Sequence, residues 1–194
     1  VYEKTYKFLT ALDYMNLRLT GKFVATPDTN LTSWVTDNRD TQHIVYDEGL
    51  PKASGISPDK FPEVVPCTSV IGDLKPEVAH ALGLRDGVKV VAGAIDVSAA
   101  AIGSGAVNDF DAHVYVGTSN WVAAHVPYKK TDLSSWMASV PCARPDKYLM
   151  IVVQTTAGGN LNYLRDKILY HNDELLKEEQ APDVFQIFDR IAAK

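Results

Sequence analysis

Cysteine is scarce: Cys67 and Cys142 are the two in 194 residues, far apart and without a CxxC pair. That excludes a disulfide framework and a four-thiolate zinc site. Each thiol follows a proline (Pro66, Pro141), and both are expected to be buried and free. His43, His80, His113, His125 and His171 lack HExxH or HxxxH spacing, so no metal site is read from them. Apolar runs extend only a few residues, which excludes a membrane-spanning helix or a signal-peptide core. An excess of positive charge is missing as well. With 19 Lys+Arg against 24 Asp+Glu and a net charge of −5, neither nucleic acid nor an anionic membrane is expected as a partner. These absences together suggest a reduced, cytoplasmic protein. The chain also opens on Val1 without an initiator Met, and an internal piece of a longer product is expected.

What is there is ordinary globular composition, 46% hydrophobic and 22% charged, which excludes collagen-like, coiled-coil and disordered chains. The length suits one large domain or two small ones. Apolar spacing predicts a helix over 3–19 stopped by Gly21, a second running through Leu31 and Trp34, and a short third at 41–49. Residues 51–66 carry four prolines and read as irregular around a short helix. Lys75–Gly83 reads as a helix with Pro76 in its first turn. From residue 88 strands take over. Val88–Ala92 reads as a buried parallel-type strand, followed by a small-residue helix to about Ser104. Asp111–Val116 and Trp121–Val126 read as a hairpin, Ser135–Pro141 and Tyr148–Val153 as further strands, and Asn160–Leu169 and 182–193 as helices. In the last, Val184, Phe185, Phe188 and Ile191 share one side. The change of character puts a domain boundary near residue 107.

Three small-residue turns could carry chemistry. In Gly93-Ala94-Ile95-Asp96, an acid at a strand end could take a proton from a substrate hydroxyl, burial assisting it. It could equally be an N-cap, and caps are the commoner use of Asp before a helix. Gly117-Thr118-Ser119-Asn120 could cradle phosphate through backbone N–H groups, or be no more than a hairpin turn. Ala157-Gly158-Gly159 opens a helix whose N-terminus would favour anions, or is a plain strand-to-helix turn. No GxGxxG fingerprint or Walker A lysine accompanies them, so neither a Rossmann nor a P-loop site is read. Three such turns in one chain fit a phosphate-binding enzyme of another kind.

Four stretches in order resemble FGGY carbohydrate kinases: Asp13-Tyr14-Met15-Asn16-Leu17-Arg18-Leu19-Thr20-Gly21-Lys22-Phe23 with Thr26-Pro27-Asp28; Gly93-Ala94-Ile95-Asp96; Gly117-Thr118-Ser119; and Ala157-Gly158-Gly159-Asn160-Leu161-Asn162-Tyr163-Leu164-Arg165-Asp166. Within that family they are most similar to xylulokinases. The resemblance implies an α/β, actin-like (ribonuclease H-like) ATPase fold with two domains flanking a cleft. Residues 1–107 would be the C-terminal part of the first, sugar-binding domain and 108–194 the N-terminal part of the second, nucleotide-binding domain. It implies ATP and Mg2+ as cofactors, a small-molecule sugar as substrate, and Asp96 as the catalytic base, a role its cap position does not exclude. Gly117, Thr118, Gly158 and Asn162 would approach the nucleotide. The native assembly is left open, a homodimer included; partial domains would expose apolar faces, so this piece by itself is expected to self-associate.

Two departures qualify the likeness. Val97 stands where several family members carry a sugar-holding amide, which leaves the sugar open. The family's N-terminal Asp-x-Gly-Thr phosphate hairpin and its later glycine-rich adenosine motif are absent, so this chain alone is expected to be inactive. Competing readings are a non-catalytic sugar- or nucleotide-binding module and a kinase for glycerol or another polyol.

Overall fold

The structure, a computed structural model, describes residues 1–169 and 183–194. They divide into two compact units: Val1–His113 with Val122–Val152, and Val114–Trp121 with Val153–Lys194.

The first unit opens with a 3-10 turn, Tyr2–Lys4, and an extended stretch. Helix α1 (Ala11–Thr20) starts later than its apolar spacing predicts, because Thr10 and Asp13 form a capping box that sets the first turn there. Gly21 ends it in the left-handed region, φ 83°, as expected from its sequence. The face that α1 buries is polar, Asp13 and Asn16. Strand β1 (Val24–Ala25) leads into a 3-10 turn, Thr29–Ser33, where a full helix was expected.

Strands β2 (Thr36–Asp37) and β3 (Val45–Tyr46) pair antiparallel, replacing the helix predicted at 41–49. Asp47 sets the start of the next helix instead. Its carboxylate accepts the N–H groups of Gly49 and Leu50, so Gly49 begins helix α2 (Leu50–Ala53) rather than ending one. Next come a 3-10 turn (Pro58–Lys60), β4 (Glu63–Val64), β5 (Val70–Asp73), α3 (Pro76–Ala81), β6 (Lys89–Val91) and α4 (Asp96–Gly103). Pro76 sits in the first turn of α3, as its missing N–H predicts.

Strands β1 and β4 pair in parallel. The pairing of β6 corrects the sequence reading: it runs antiparallel to β5, and Lys89 and Val91 are exposed. Burial begins at Ala92, which joins Val24 and Ile71 in a core cluster flanked by Val65 and Val90.

Strands β7 (Ala112–Val116), β8 (Asn120–Val126), β9 (Thr131–Asp132), β10 (Met137–Pro141) and β11 (Tyr148–Gln154) form a five-stranded sheet ordered β7-β8-β11-β10-β9. The predicted β7–β8 neighbours, β10 and β11 are all present. Strand β10 is antiparallel to β9 and β11, with Pro141 opposite Tyr148. Around the segment that follows α4, His125 Nδ1 lies 2.8 Å from the Ala106 carbonyl oxygen and Lys147 pairs with Asp109 at 2.7 Å.

In the second unit, α5 (Gly158–Tyr163) runs into a π-helical segment, Leu164–Leu169. Helix α6 (Val184–Ala192) begins at Asp183, whose carboxylate accepts the N–H groups of Phe185 and Gln186. Position 182 of the predicted last helix lies outside the described residues. Val184 is buried and Phe185 meets Phe188 edge to face at 6.2 Å, but Ile191 is exposed. No helix among the described residues is long and apolar enough to cross a membrane.

Candidate functional site

The approach to Asp96 is held by backbone and buried side chains. Ala92 N–H donates to the Ser69 carbonyl and Gly93 N–H to that of Cys67, both at 2.9 Å. Gly93 then takes φ 82°, a conformation that favours glycine, and turns the chain out of β6. From α1, Asn16 Nδ2 donates to the Ala92 carbonyl at 2.7 Å. Ile95 N–H donates at 3.1 Å to Oδ2 of Asp28, a fully buried residue.

Ile95, extended at φ −69° and ψ 165°, is the N-cap of α4. Asp96 is therefore the first helical residue and not the cap that its sequence position suggests. It is also exposed, not buried. Its carboxylate accepts the Val97 N–H at 2.8 Å. The carboxylate is thus open to solvent on the first turn of α4. Sequence reasoning gave Asn16 and Asp28 no role. Their bonds join residues 76 and 67 positions apart, and no local pattern reports such pairing.

The other residues expected to form a site, Gly117, Thr118, Gly158 and Asn162, lie in the second unit, which brings the first three together. Gly158 N–H donates to the Gly117 carbonyl at 2.9 Å, and Ala157 and Gly159 N–H donate to the Thr118 carbonyl at 2.8 and 3.1 Å. The start of α5 is thus engaged by the 117–118 turn, which favours the strand-to-helix turn, of the two readings, over an anion site on those N–H groups. Glycine is required at 158 for packing, because a Cβ there would lie 2.7 Å from the Gly117 oxygen. At 117, a Cβ would meet the ring of Tyr115, itself stacked on Trp121 at 3.8 Å. Thr118 is exposed and presents its side chain at this turn. Asn162 is exposed and follows Gly158 by four residues along α5, on the same helix face.

Neither cysteine is poised to react. Burial pushes the Cys67 thiol up to about 12 and the Cys142 thiol up to about 11, the nearby Asp28 adding to both. They border a cavity of about 220 Å3 whose Arg144 and Lys147 are already paired with Asp146 and Asp109. Among the described residues, no group of three His, Cys, Asp or Glu could hold a metal ion.

Residues 1–103 match the N-terminal domain of the FGGY family of carbohydrate kinases. The chain is 28% identical to the xylulose kinase of Lactococcus lactis subsp. lactis (strain IL1403) over 166 residues, covering 86% of this chain and 32% of that protein. The ligand-bound xylulose kinase structure from Lactobacillus acidophilus superposes with a TM-score of 0.73 at 26% identity, over 84% of this chain and 32% of the other. A gluconate kinase from Lactobacillus acidophilus gives 0.74 at 27% identity, over 87% and 33%. The chain therefore spans about a third of the length of curated relatives such as this one. Over that span its fold is the expected actin-like α/β fold. With more than half of its residues matched by one family model, the chain belongs to the FGGY family of carbohydrate kinases.

Proposed function

We propose that the protein to which this chain belongs is an ATP-dependent sugar kinase with Asp96 as its general base, acting on a ketopentose of the xylulose type. The observation that carries this is the placement of Asp96: an exposed carboxylate on the first turn of α4, at the end of a strand-to-helix turn held from both sides by buried polar side chains. In this reading residues 1–107 belong to the sugar-binding domain and 108–194 to the nucleotide-binding domain.

Phosphoryl transfer asks for positioning and charge neutralisation, with little covalent chemistry left to the protein. Asp96 would accept the proton of the attacking sugar hydroxyl. Exposed Thr118, on the turn set by Gly117 and Gly158, would meet the nucleotide's phosphates, and Asn162 would face the nucleotide from one helical turn further on. ATP supplies the transferred phosphoryl group. The described residues offer Mg2+ no cluster of their own. Mg2+, when bound with the nucleotide, would supply neutralisation of the phosphate charge.

The test is ATP-dependent phosphorylation by the intact protein of D-xylulose, gluconate and glycerol, with Asp96→Asn as the control. Loss of a general base lowers turnover by about 100- to 10,000-fold. Near-normal turnover in Asp96→Asn overturns the base assignment. A preference for gluconate or glycerol overturns the sugar assignment and leaves the base standing.

A further inference from the structure

Asp28 is wholly buried, and among the described residues its carboxylate accepts three hydrogen bonds. Oδ1 takes the Thr26 hydroxyl at 2.5 Å and the Cys67 thiol at 3.4 Å, and Oδ2 takes the Ile95 N–H at 3.1 Å. Around it the 26–29 turn is tied by its own side chains. Thr26 N–H donates to Thr29 Oγ1 at 2.8 Å, and Thr29 N–H to Thr26 Oγ1 at 3.3 Å. The carboxylate therefore has little freedom to move. Burying such a group is costly, and a carbonyl or hydroxyl could cap one backbone N–H at lower cost. A two-oxygen acceptor is needed only if the turn and Ile95 must be held together.

We propose that Asp28 is a positioning residue for Asp96. It fixes the Ile95 backbone, the last extended residue before α4, and so sets where the Asp96 side chain emerges. Asp96 depends on that support, since among the described residues its carboxylate bonds only to the N–H of adjacent Val97. The proposal rests on the reading of Asp96 as the base.

The experiment is steady-state kinetics of the intact protein on the fastest sugar of the D-xylulose, gluconate and glycerol panel. Misplacing a reacting group by about 1 Å costs about 100-fold in rate, and Asp28→Ala is expected to lower kcat by that order with the sugar KM changed less than about threefold. Asp28→Asn is expected to restore most of the turnover. Its amide oxygen can still accept from Ile95, and its NH2 can donate to Thr26 Oγ1. In an Asp96→Asn background, Asp28→Ala is expected to remove nothing further, because the two residues act as one unit. Should Asp28→Ala not fold, Thr26→Val keeps the carboxylate but removes one of its donors. It is expected to lower kcat by roughly fivefold to tenfold, and only while Asp96 is present.

An equal loss of kcat in the Asp96→Asn background overturns the proposal. So does Asn as damaging as Ala in a folded protein, or a Thr26→Val enzyme with unchanged kcat. Full turnover in Asp96→Asn alone, or no phosphorylation of any sugar, instead overturns the base reading beneath it.

Discussion

Gly158 and Gly117 approach so closely that a methyl group on Gly158 would stand 2.7 Å from the Gly117 carbonyl oxygen, the atom to which Gly158 N–H donates at 2.9 Å. The obstacle is backbone, so it cannot rotate away. A methyl group on Gly117 would also meet an obstacle at 2.7 Å, the Tyr115 hydroxyl, but that atom lies at the end of a side chain.

Gly158→Ala is therefore expected to destabilise the intact protein by about 1–3 kcal/mol, the usual cost of forcing an extra carbon into a packed place. Gly117→Ala is expected to cost less, because the Tyr115 ring can shift on Trp121. Thermal melting of both variants checks the order. If Gly117 in the proposed nucleotide site is displaced by Gly158→Ala, the KM for ATP rises as well. Equal melting midpoints for the two variants would refute the steric argument.

Asn16 provides a second test, in the first unit. Its Nδ2–H bond to the Ala92 carbonyl is buried and joins α1 to the turn that leads to Asp96. Asn16→Ala leaves that carbonyl unpaired, at a cost of about 1–3 kcal/mol. Asn16→Asp is expected to be worse near neutral pH, since it sets an acceptor against an acceptor. Its deficit should shrink on acidification, once the new carboxyl is protonated and can donate. Denaturant unfolding at two pH values decides between them, and an Asp variant less damaging than Ala at neutral pH would count against the assignment.

Positions such as these show how much of the molecule is legible in the sequence. Gly117, Gly158 and Asp96 stand out because turns need small or polar residues at recognisable places, and that local chemistry survives in the sequence. The hairpin around residue 117 and helices α3 and α4 were legible for the same reason. Asn16 and Asp28 carry no such local signal, because these partners, Ala92 and Ile95, are 76 and 67 positions away in sequence. The two-residue strands β1 to β4 are too short to carry a period, and Asp47 turned an apparent helix into a hairpin followed by a helix start. The exposure of Asp96 and the antiparallel pairing of β6 depend on which segments meet, and hydrophobic spacing does not record that.

The cysteines make a prediction about reactivity. Cys67 and Cys142 are buried, and their thiols are held near 12 and 11 by loss of hydration. The nucleophile is the thiolate, so at about pH 8 almost none is present in the folded state. A chromogenic disulfide reagent is expected to titrate neither thiol in the native protein within minutes and both after denaturation. Rapid native labelling of Cys67 would contradict its packing against Asp28.

Asp13 sets a pH dependence whose sign follows from its surroundings. Burial raises its carboxyl above the ordinary 3.8, and the neighbouring Asp28 charge adds to this, while hydrogen bonds from Thr10 and Thr29 act the other way. In the window between 3.8 and the raised folded value, the native state holds more protons than the unfolded chain. Stability contributed by this group is therefore present at low pH and lost as pH rises through that window. Asp13→Asn keeps the shape and can still accept from Thr10, whose N–H and hydroxyl both meet the same oxygen, Oδ2. Its melting temperature relative to the wild-type protein is expected to climb from about pH 3 upward and to level off once Asp13 is fully ionised. Melting curves of the two proteins across about pH 3–7 test this, and a difference that stays flat or falls with pH would show that burial does not dominate at Asp13.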